Sequence, residues 1–394
     1  MAESYDAVVI GGGVMGPSAA FHLKRLGAGN VALLERGRVC TGGTAKSCAI
    51  IRTHYSIPTN TALAVKSLEV FRHFADVLGN GADCGFVKSG YIIVAPEGEK
   101  SEKLSTNLAM QAQVGADTRE ISKEEARERH PLLDLNDVGL VGYEPDSGYA
   151  DPYLTATGFV SAARRLGVTV RTDCPVTGLV REGNRVAGVQ TTHGDVAAGV
   201  VLSLIGPWTS QLAEWADVTL PLEVSRHIVL TFRAAEPYGK MLPIVKDLTT
   251  ENKMYFRPTT GGVVLVGTGD HGDPLETPDK IDDNVGLDFI THQGSQIAHR
   301  MPSFEQAELV ESWTGPYDIT PDWNPVLGPI PGVEGLHVGY GFSGHGFKLA
   351  PAVGRVLAQS ILGQTTDVDI RPYRLSRFDE GELLTGSYGI GSIS

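Results

Sequence analysis

The pattern of apolar positions opens with a short run, Asp6 to Ile10, that ends in Gly11-Gly12-Gly13. A continuous apolar run bounded by glycine reads as a buried strand. Apolar residues then recur at helical spacing, Met15, Ala19, Leu23 and Leu26, and Gly27 stands where such a helix stops. Val31 to Leu34 repeats the buried-strand pattern and ends on Glu35. Strand, glycine turn, helix and strand make one β-α-β unit.

Beyond a Gly/Thr/Ser-rich loop (Thr41 to Ser47), the periodicity predicts a long helix over 59–78 and a strand over 87–94. A polar helical stretch over about 100–130 follows, then a helix over 151–166 and a strand over 168–171. From Cys174 to Val201 short strands are split by the turns Glu182-Gly183-Asn184 and His193-Gly194-Asp195. The strand Val200–Ile205 runs into Gly206-Pro207-Trp208. Residues 222–267 read mostly as strand, with Gly261-Gly262 as a hairpin turn. A helix over 285–299, further strands and a last helix over 347–362 complete the pattern. The Gly/Ser-rich tail from Gly386 reads as mobile.

At 394 residues the chain exceeds what one hydrophobic core ordinarily supports, so two units are expected. The strand and helix signals do not divide in sequence order. Residues 1–80, 140–215 and 313–375 read as pieces of one nucleotide-binding unit. Residues 81–139 and 216–312 read as insertions that build a second, sheet-rich unit, with 376–394 as a tail.

Charge narrows the partners. Lys and Arg number 33 against 46 Asp and Glu, a formal net charge of −13, and no basic stripe interrupts it. A phosphate-backbone partner needs such a stripe, so no nucleic acid is expected. An anionic small molecule would have to be met by a few placed cations. Cys40, Cys48, Cys84 and Cys174 show no CxxC spacing, and scattered His, Asp and Glu show no metal spacing, so neither a disulfide framework nor a metal is expected. Met1 to Gly13 lacks a basic n-region, and no apolar stretch is long enough to span a bilayer. These readings describe a cytoplasmic protein without a membrane partner. Oligomeric state is not legible.

Gly11-x-Gly13-x-x-Gly16 sits directly between the first strand and the first helix. There the first glycine permits the tight turn, the second lets backbone approach a pyrophosphate and the third lets helix and strand pack closely. Helix N-terminal N–H groups face the anion, and Glu35 stands at the distance of the acid that bonds a ribose hydroxyl. That acid argues against a 2′-phosphate. FAD and NAD both remain open on this motif alone. A second glycine cluster, Gly341-Phe342-Ser343-Gly344-His345-Gly346-Phe347-Lys348, precedes the last helix. Such backbone stabilises negative charge of the kind a reduced flavin develops, although a plain helix cap reads the same way.

Together these motifs resemble the D-amino-acid-oxidase-like FAD-dependent oxidoreductases, in their sarcosine oxidase and glycine oxidase branch. The resemblance also rests on Gly43-Thr44-Ala45-Lys46-Ser47 leading to Ile50-Ile51-Arg52, on Gly206-Pro207-Trp208, and on Thr320-Pro321-Asp322 with Pro325. It implies a fold of α/β plus α+β class: a Rossmann-type FAD-binding domain with an interleaved substrate domain on a mostly antiparallel sheet. It implies FAD contacts from Gly11, Gly13, Val14, Met15 and Gly16, from Glu35 and Arg36, and from Thr44, Lys46, Ser47 and Cys48. Val176, Gly206 and Trp208 join them, with Gly344, His345, Gly346, Phe347 and Lys348 at the far end.

The activity implied is oxidation of the C–N bond of a small, N-alkylated, sarcosine-like amino acid to an imine that hydrolyses. O2 or another acceptor takes the electrons. Arg52 and Lys348 match the two cations that hold the substrate carboxylate in the family. Tyr255 and Tyr317 fall near positions where relatives present phenols over the flavin, and His271 lies two residues past the place of an active-site histidine, Gly269. His227 reads as a core or edge histidine. Three departures stand out. Gly315 occupies the position of a flavin-linking cysteine, and Thr44-Ala45-Lys46 lacks a linking histidine, so non-covalent FAD is expected. Leu265 stands where an oxygen-activating lysine is found, which keeps open a dehydrogenase or electron-relaying subunit. A simple amine without a carboxylate is the other substrate reading, and a nicotinamide-using monooxygenase lacks its Gly-Asp motif here.

Overall fold

The protein is described from a computed structural model over residues 3–269 and 272–389. Its first sheet grows from the N-terminal pattern. Glu3–Ile10 lies between Val31–Leu34 and Val196–Ser203, parallel to both, and Thr169–Arg171 and Leu336–Tyr340 extend the parallel core outward. Ala7 to Ile10 and Val31 to Leu34 are buried, as strands covered on both faces must be. Helix Met15–Arg25 packs on this sheet together with Pro152–Arg165 and Gly346–Ile361. The tight approach of the first and last helices needs Gly354, whose added Cβ would lie 2.3 Å from the Ser18 hydroxyl.

The second sheet is mostly antiparallel, with nine strands among the described residues. Glu223–Arg233 is its long central strand, paired with Val263–Gly267 and Asp273–Leu275 on one side and Glu308–Ile319 on the other. One pairing, Ile244–Asp247 with Tyr91–Ala95, is parallel. The Gly261-Gly262 turn joins Tyr255–Pro258 to Val263–Gly267 with both glycines at positive φ, +78° and +77°.

All strands of the first sheet fall within 1–80, 140–215 and 313–375. Two other strands do not respect those boundaries. Leu140–Glu144 pairs with Tyr91–Ala95 in the second sheet, and Glu308–Ile319 runs unbroken across 312/313. Strand partners, not apolar pattern, decide such membership.

Three local expectations are corrected. The long helix over 59–78 is two, Pro58–Arg72 and Phe74–Leu78, broken at His73 with φ −118° and ψ 35°. The helical stretch over 100–130 is Glu99–Val114, a strand Arg119–Ile121 and Lys123–Arg129, because Gly115 ends the first helix in the left-handed conformation. Of the tail from Gly386, residues 386–389 are described and packed, and 390–394 lie outside the described residues. Arg377 is buried against Asp322 at 2.8 Å, Ser387 donates to Asn107 at 2.8 Å, and the Tyr388 hydroxyl lies 3.2 Å from His54 Nε2. Among the described residues no helix is long and apolar enough to cross a membrane, and no cluster of His, Cys, Asp and Glu is arranged for a metal.

Candidate active site

A cavity of about 330 Å³ runs between the two sheets, from the Gly11 turn to the face of the second sheet. At its nucleotide end the chain makes a cradle of bare backbone. An added Cβ at Gly11 would lie 2.4 Å from the Leu204 carbonyl oxygen, and one at Gly16 would lie 1.8 Å from that of Gly11. Only glycine fits there. The helix Met15–Arg25 begins without a side-chain cap and without an acid in its first turn, so its positive end is left for an anion. The Glu35 carboxylate accepts from Gly12 N–H at 2.5 Å and from Gly37 N–H at 2.8 Å, which holds it at the cavity wall. Thr44 Oγ1 accepts from Val14 N–H at 3.0 Å, tying the 43–46 turn to the glycine loop. Arg36 stacks over Trp208 with 4.1 Å to the ring centroid, and both reach Asp279 from the second unit.

The opposite end is lined by two buried basic side chains, Arg52 and Lys348. Arg52 is buried, lies 4.6 Å from the Tyr55 ring centroid and donates to the His54 carbonyl. Lys348 is buried in the first turn of helix Gly346–Ile361, which also begins with no side-chain cap and no acid. Burial, then the Arg52 charge, holds the Lys348 amine well below its ordinary range. Among the described residues neither Arg52 nor Lys348 has a carboxylate within ion-pair distance. The loop before the helix is pinned by Asp318, which accepts from Gly341 N–H at 2.7 Å, and Gly344 has φ +83° where a Cβ would meet the Tyr317 ring at 2.1 Å. Burial keeps His345 far below the imidazole range, with Lys348 and Arg52 adding to the effect.

Sheet register fixes what faces the cavity from the second unit. Lys246, Tyr255, Gly267 and Val229 stand in register across four strands, and His227 and Tyr317 follow along the same face. The Tyr255 hydroxyl lies 3.3 Å from Cys48 Sγ, and burial raises both groups above their ordinary ranges. His227 stacks on Tyr317 with ring centroids 3.6 Å apart and 16° between planes.

This combination is a two-ended cavity: a glycine cradle with an acid at one end, and buried cations before a helix N-terminus at the other. A family model described as "DAO: FAD dependent oxidoreductase" matches residues 6–360. The chain belongs to the DAO family of FAD-dependent oxidoreductases. Its relatives agree. It is 31% identical to FAD-dependent oxidoreductase domain-containing protein 1 of Bos taurus, over 96% of this chain and 86% of that one. It is 28% identical to sarcosine oxidase subunit beta of Arthrobacter sp., over 97% and 93%. Among solved structures, L-proline dehydrogenase from P. horikoshii superposes with a TM-score of 0.89 at 28% identity, covering 98% of this chain and 100% of that one. The cofactor of this family is FAD, and the chemistry is oxidation of amines and amino acids.

Of the residues singled out in the sequence, the cavity of this DAO-family chain brings together Gly11, Gly13, Val14, Met15, Glu35, Arg36, Thr44, Lys46, Ser47, Cys48 and Arg52. Val176, Gly206, Trp208, Tyr255, Tyr317 and Gly344 to Lys348 line it too. Gly16 does not; it serves the close packing of helix on strand. His271 lies outside the described residues. Sequence reading missed Lys246, Tyr91, Thr268 and Trp323 in the lining, and it set His227 aside as a core or edge residue. It also missed Glu144, a buried carboxyl whose charge bears on Arg52 and which burial pushes toward its neutral form. Thr53 N–H and the Ser147 hydroxyl donate to its Oε2, at 2.9 and 2.5 Å. No local motif marks Glu144 or Lys246; only strand pairing brings them here.

Proposed function

We propose that this enzyme oxidises the C–N bond of a small, N-alkylated amino acid with a free carboxylate, sarcosine or a longer relative, to an imine that hydrolyses. The observation that carries this reading is the meeting of Arg52 and Lys348, both buried and from opposite ends of the chain, in one cavity, with no carboxylate among the described residues paired to either. Charging Lys348 beside Arg52 in a buried site is costly unless an anion completes the pair, and a substrate carboxylate is the simplest anion to supply. FAD, when bound, supplies a hydride acceptor. The glycine loop, Glu35 and the 43–48 turn would hold its nucleotide and linker, and the uncapped start of helix Gly346–Ile361 would favour charge on its ring. The protein's remaining work is positional. Arg52 and Lys348 would orient the substrate by its carboxylate, and Tyr255, Tyr317 and His227 would close the opposite wall and exclude water.

The test is Arg52→Ala and Lys348→Ala, assayed on a carboxylated amine and on its uncharged ester or amide. Loss of a charge-assisted bond at Arg52 should cost on the order of 2–5 kcal/mol of binding, appearing mainly in KM and only for the acid. Equal handling of acid and ester by the wild type, with neither substitution changing the ratio, would leave a simple amine as substrate.

The electron acceptor carries a second reading. Names of both kinds, oxidase and dehydrogenase, occur among the relatives. Leu265 is buried and apolar on the cavity-side face of its strand, which favours an acceptor other than O2. Lys246, two strands away in the same sheet, supplies a cation to the same cavity and weighs the other way. Stopped-flow reoxidation of the reduced enzyme by air separates the two. A slow reaction supports the dehydrogenase, and a rate typical of a good oxidase removes it.

A further inference from the structure

A lysine amine gives up its proton where burial, the positive end of a helix and a second cation act on it together with no carboxylate to oppose them. Lys348 meets each condition on geometry. It is buried, it is the third residue of helix Gly346–Ile361, and it shares its cavity with Arg52. No carboxylate lies within ion-pair distance of it among the described residues. Among the groups that act on it, Cys48 opposes the effect. Cys48 is held as the thiol by burial, Tyr255 as the phenol and His345 as the neutral imidazole. Lys246, across the cavity on the second sheet, adds positive potential. Glu144 lies behind Arg52, and burial drives it toward the neutral acid.

A small amino acid arrives with the opposite assignment, a carboxylate and a protonated amine, and its nitrogen must lose that proton before hydride can leave the adjacent carbon. We propose that Lys348 is the proton acceptor for the substrate: it takes the ammonium proton as the carboxylate docks, leaving a free amine over the flavin site. The inference rests on the carboxylate reading above. In the step an N–H bond of the substrate ammonium breaks and an N–H bond forms on Lys348 Nζ. The electron pair stays on the substrate nitrogen, and nothing is oxidised. The transfer serves binding and chemistry at once. The carboxylate gains its second cation, which stabilises the proton on Lys348, and the nitrogen gains the lone pair that expels hydride. Arg52, through its guanidinium, holds the carboxylate first and orients it.

Two measurements on the FAD-loaded enzyme test this. In the first, acetate, which brings a carboxylate but no proton, is titrated calorimetrically near about pH 8 in buffers of different ionisation enthalpy. Wild type should take up about one proton per acetate bound, and its affinity should fall about tenfold per pH unit as the pH rises. Lys348→Met should bind acetate more weakly with no uptake, and Lys348→Arg should bind it without uptake. In the second, anaerobic flavin reduction by an N-alkylated amino acid, sarcosine first, is followed against pH. The second-order rate constant should be nearly flat for wild type between about pH 7 and 9. For Lys348→Arg and Lys348→Met it should climb about tenfold per unit, because only the free-amine minority reacts. Flavin absorbance and thermal midpoint show that the variants are folded and loaded.

Acetate binding that takes up no proton in wild type, yet weakens in Lys348→Met, leaves the carboxylate anchor standing and overturns the proton transfer. A wild-type rate profile as steep as that of Lys348→Arg overturns it too. Acetate that binds wild type no better than Arg52→Ala or Lys348→Met removes the anchor itself, and the proton acceptor with it.

Discussion

Single residues decide how the flavin is held. Gly315 stands where the resemblance to the family puts a flavin-linking cysteine, and the space its Cβ would fill is already bordered by the Lys46 side chain at 2.9 Å. Cys48, the nearest thiol on the flavin loop, is engaged with the Tyr255 hydroxyl, and burial favours its unreactive thiol over the thiolate. The purified protein should therefore be yellow, and acid precipitation should release the dye into the supernatant. Flavin fluorescence that stays with the denatured chain on a gel would refute this and point to Cys48. At this scale legibility divides by range. The Gly11–Gly16 loop and Glu35 declare themselves because turn, helix and strand are contiguous. Lys246, Glu144 and His227 do not, because their facing depends on which distant strand lies alongside. His227 reaches the cavity through pairing with Gly315, far along the chain.

At the scale of elements, the strand Glu308–Ile319 belongs to the second sheet but ends beneath the loop that feeds the last helix. Asp318 makes the joint. Its carboxylate accepts from Gly341 N–H, and its carbonyl accepts from Ser343 N–H at 2.9 Å. The loop needs this clamp because Gly341, Ser343 and Gly344 all adopt positive φ. Burial pushes the Asp318 carboxyl up to about 6, against the lowering effect of the Gly341 and Phe342 N–H groups. The folded state therefore holds this proton to higher pH than the unfolded chain. Its contribution is neutral below about pH 4, grows unfavourable as pH rises from about 4 to about 6, and stays constant above, at on the order of 3 kcal/mol. Asp318→Asn keeps one acceptor and cannot ionise. Relative to wild type it should gain stability by about that amount between pH 4 and pH 7, read as the difference in urea midpoints at the two values. A difference that does not change with pH would mean that Asp318 titrates normally. The helix this joint positions was legible from its apolar spacing, whereas the unit boundary at 312/313 cuts through the strand beneath it, because its membership is set by pairing with the distant Glu223–Arg233.

For the whole molecule, the cavity lies on the seam between two sheets, and residues of both units line it. The first sheet supplies the cradle, and the second supplies a strap that closes over its nucleotide end. In the strap, Asp279 bonds Trp208 Nε1 at 2.8 Å and approaches Arg36 at 3.4 Å, and Asp283 lies 3.8 Å from Lys46 while accepting from the Thr314 hydroxyl. Arg226, on the central strand, holds the strap from below through the carbonyls of Asp282 and Asn284. Arg36, Trp208 and Lys46 all line the cavity, so the strap's hold on them should slow the departure of a dinucleotide. The links are polar and half exposed. Such pairs contribute less than about 1 kcal/mol each and are screened by salt. Asp279→Ala severs the strap from both Trp208 and Arg36. It should therefore leave the fold and the substrate end intact and speed FAD release by a few-fold, up to about tenfold. The measurement is recovery of free-flavin fluorescence after dilution, at low and at high salt. Wild-type release should quicken with salt more than the variant's, since the Arg36–Asp279 pair is gone in the variant while Lys46–Asp283 remains to be screened. Equal rates at low salt would mean that the strap lies over the nucleotide without retaining it, and that retention belongs to the glycine cradle alone.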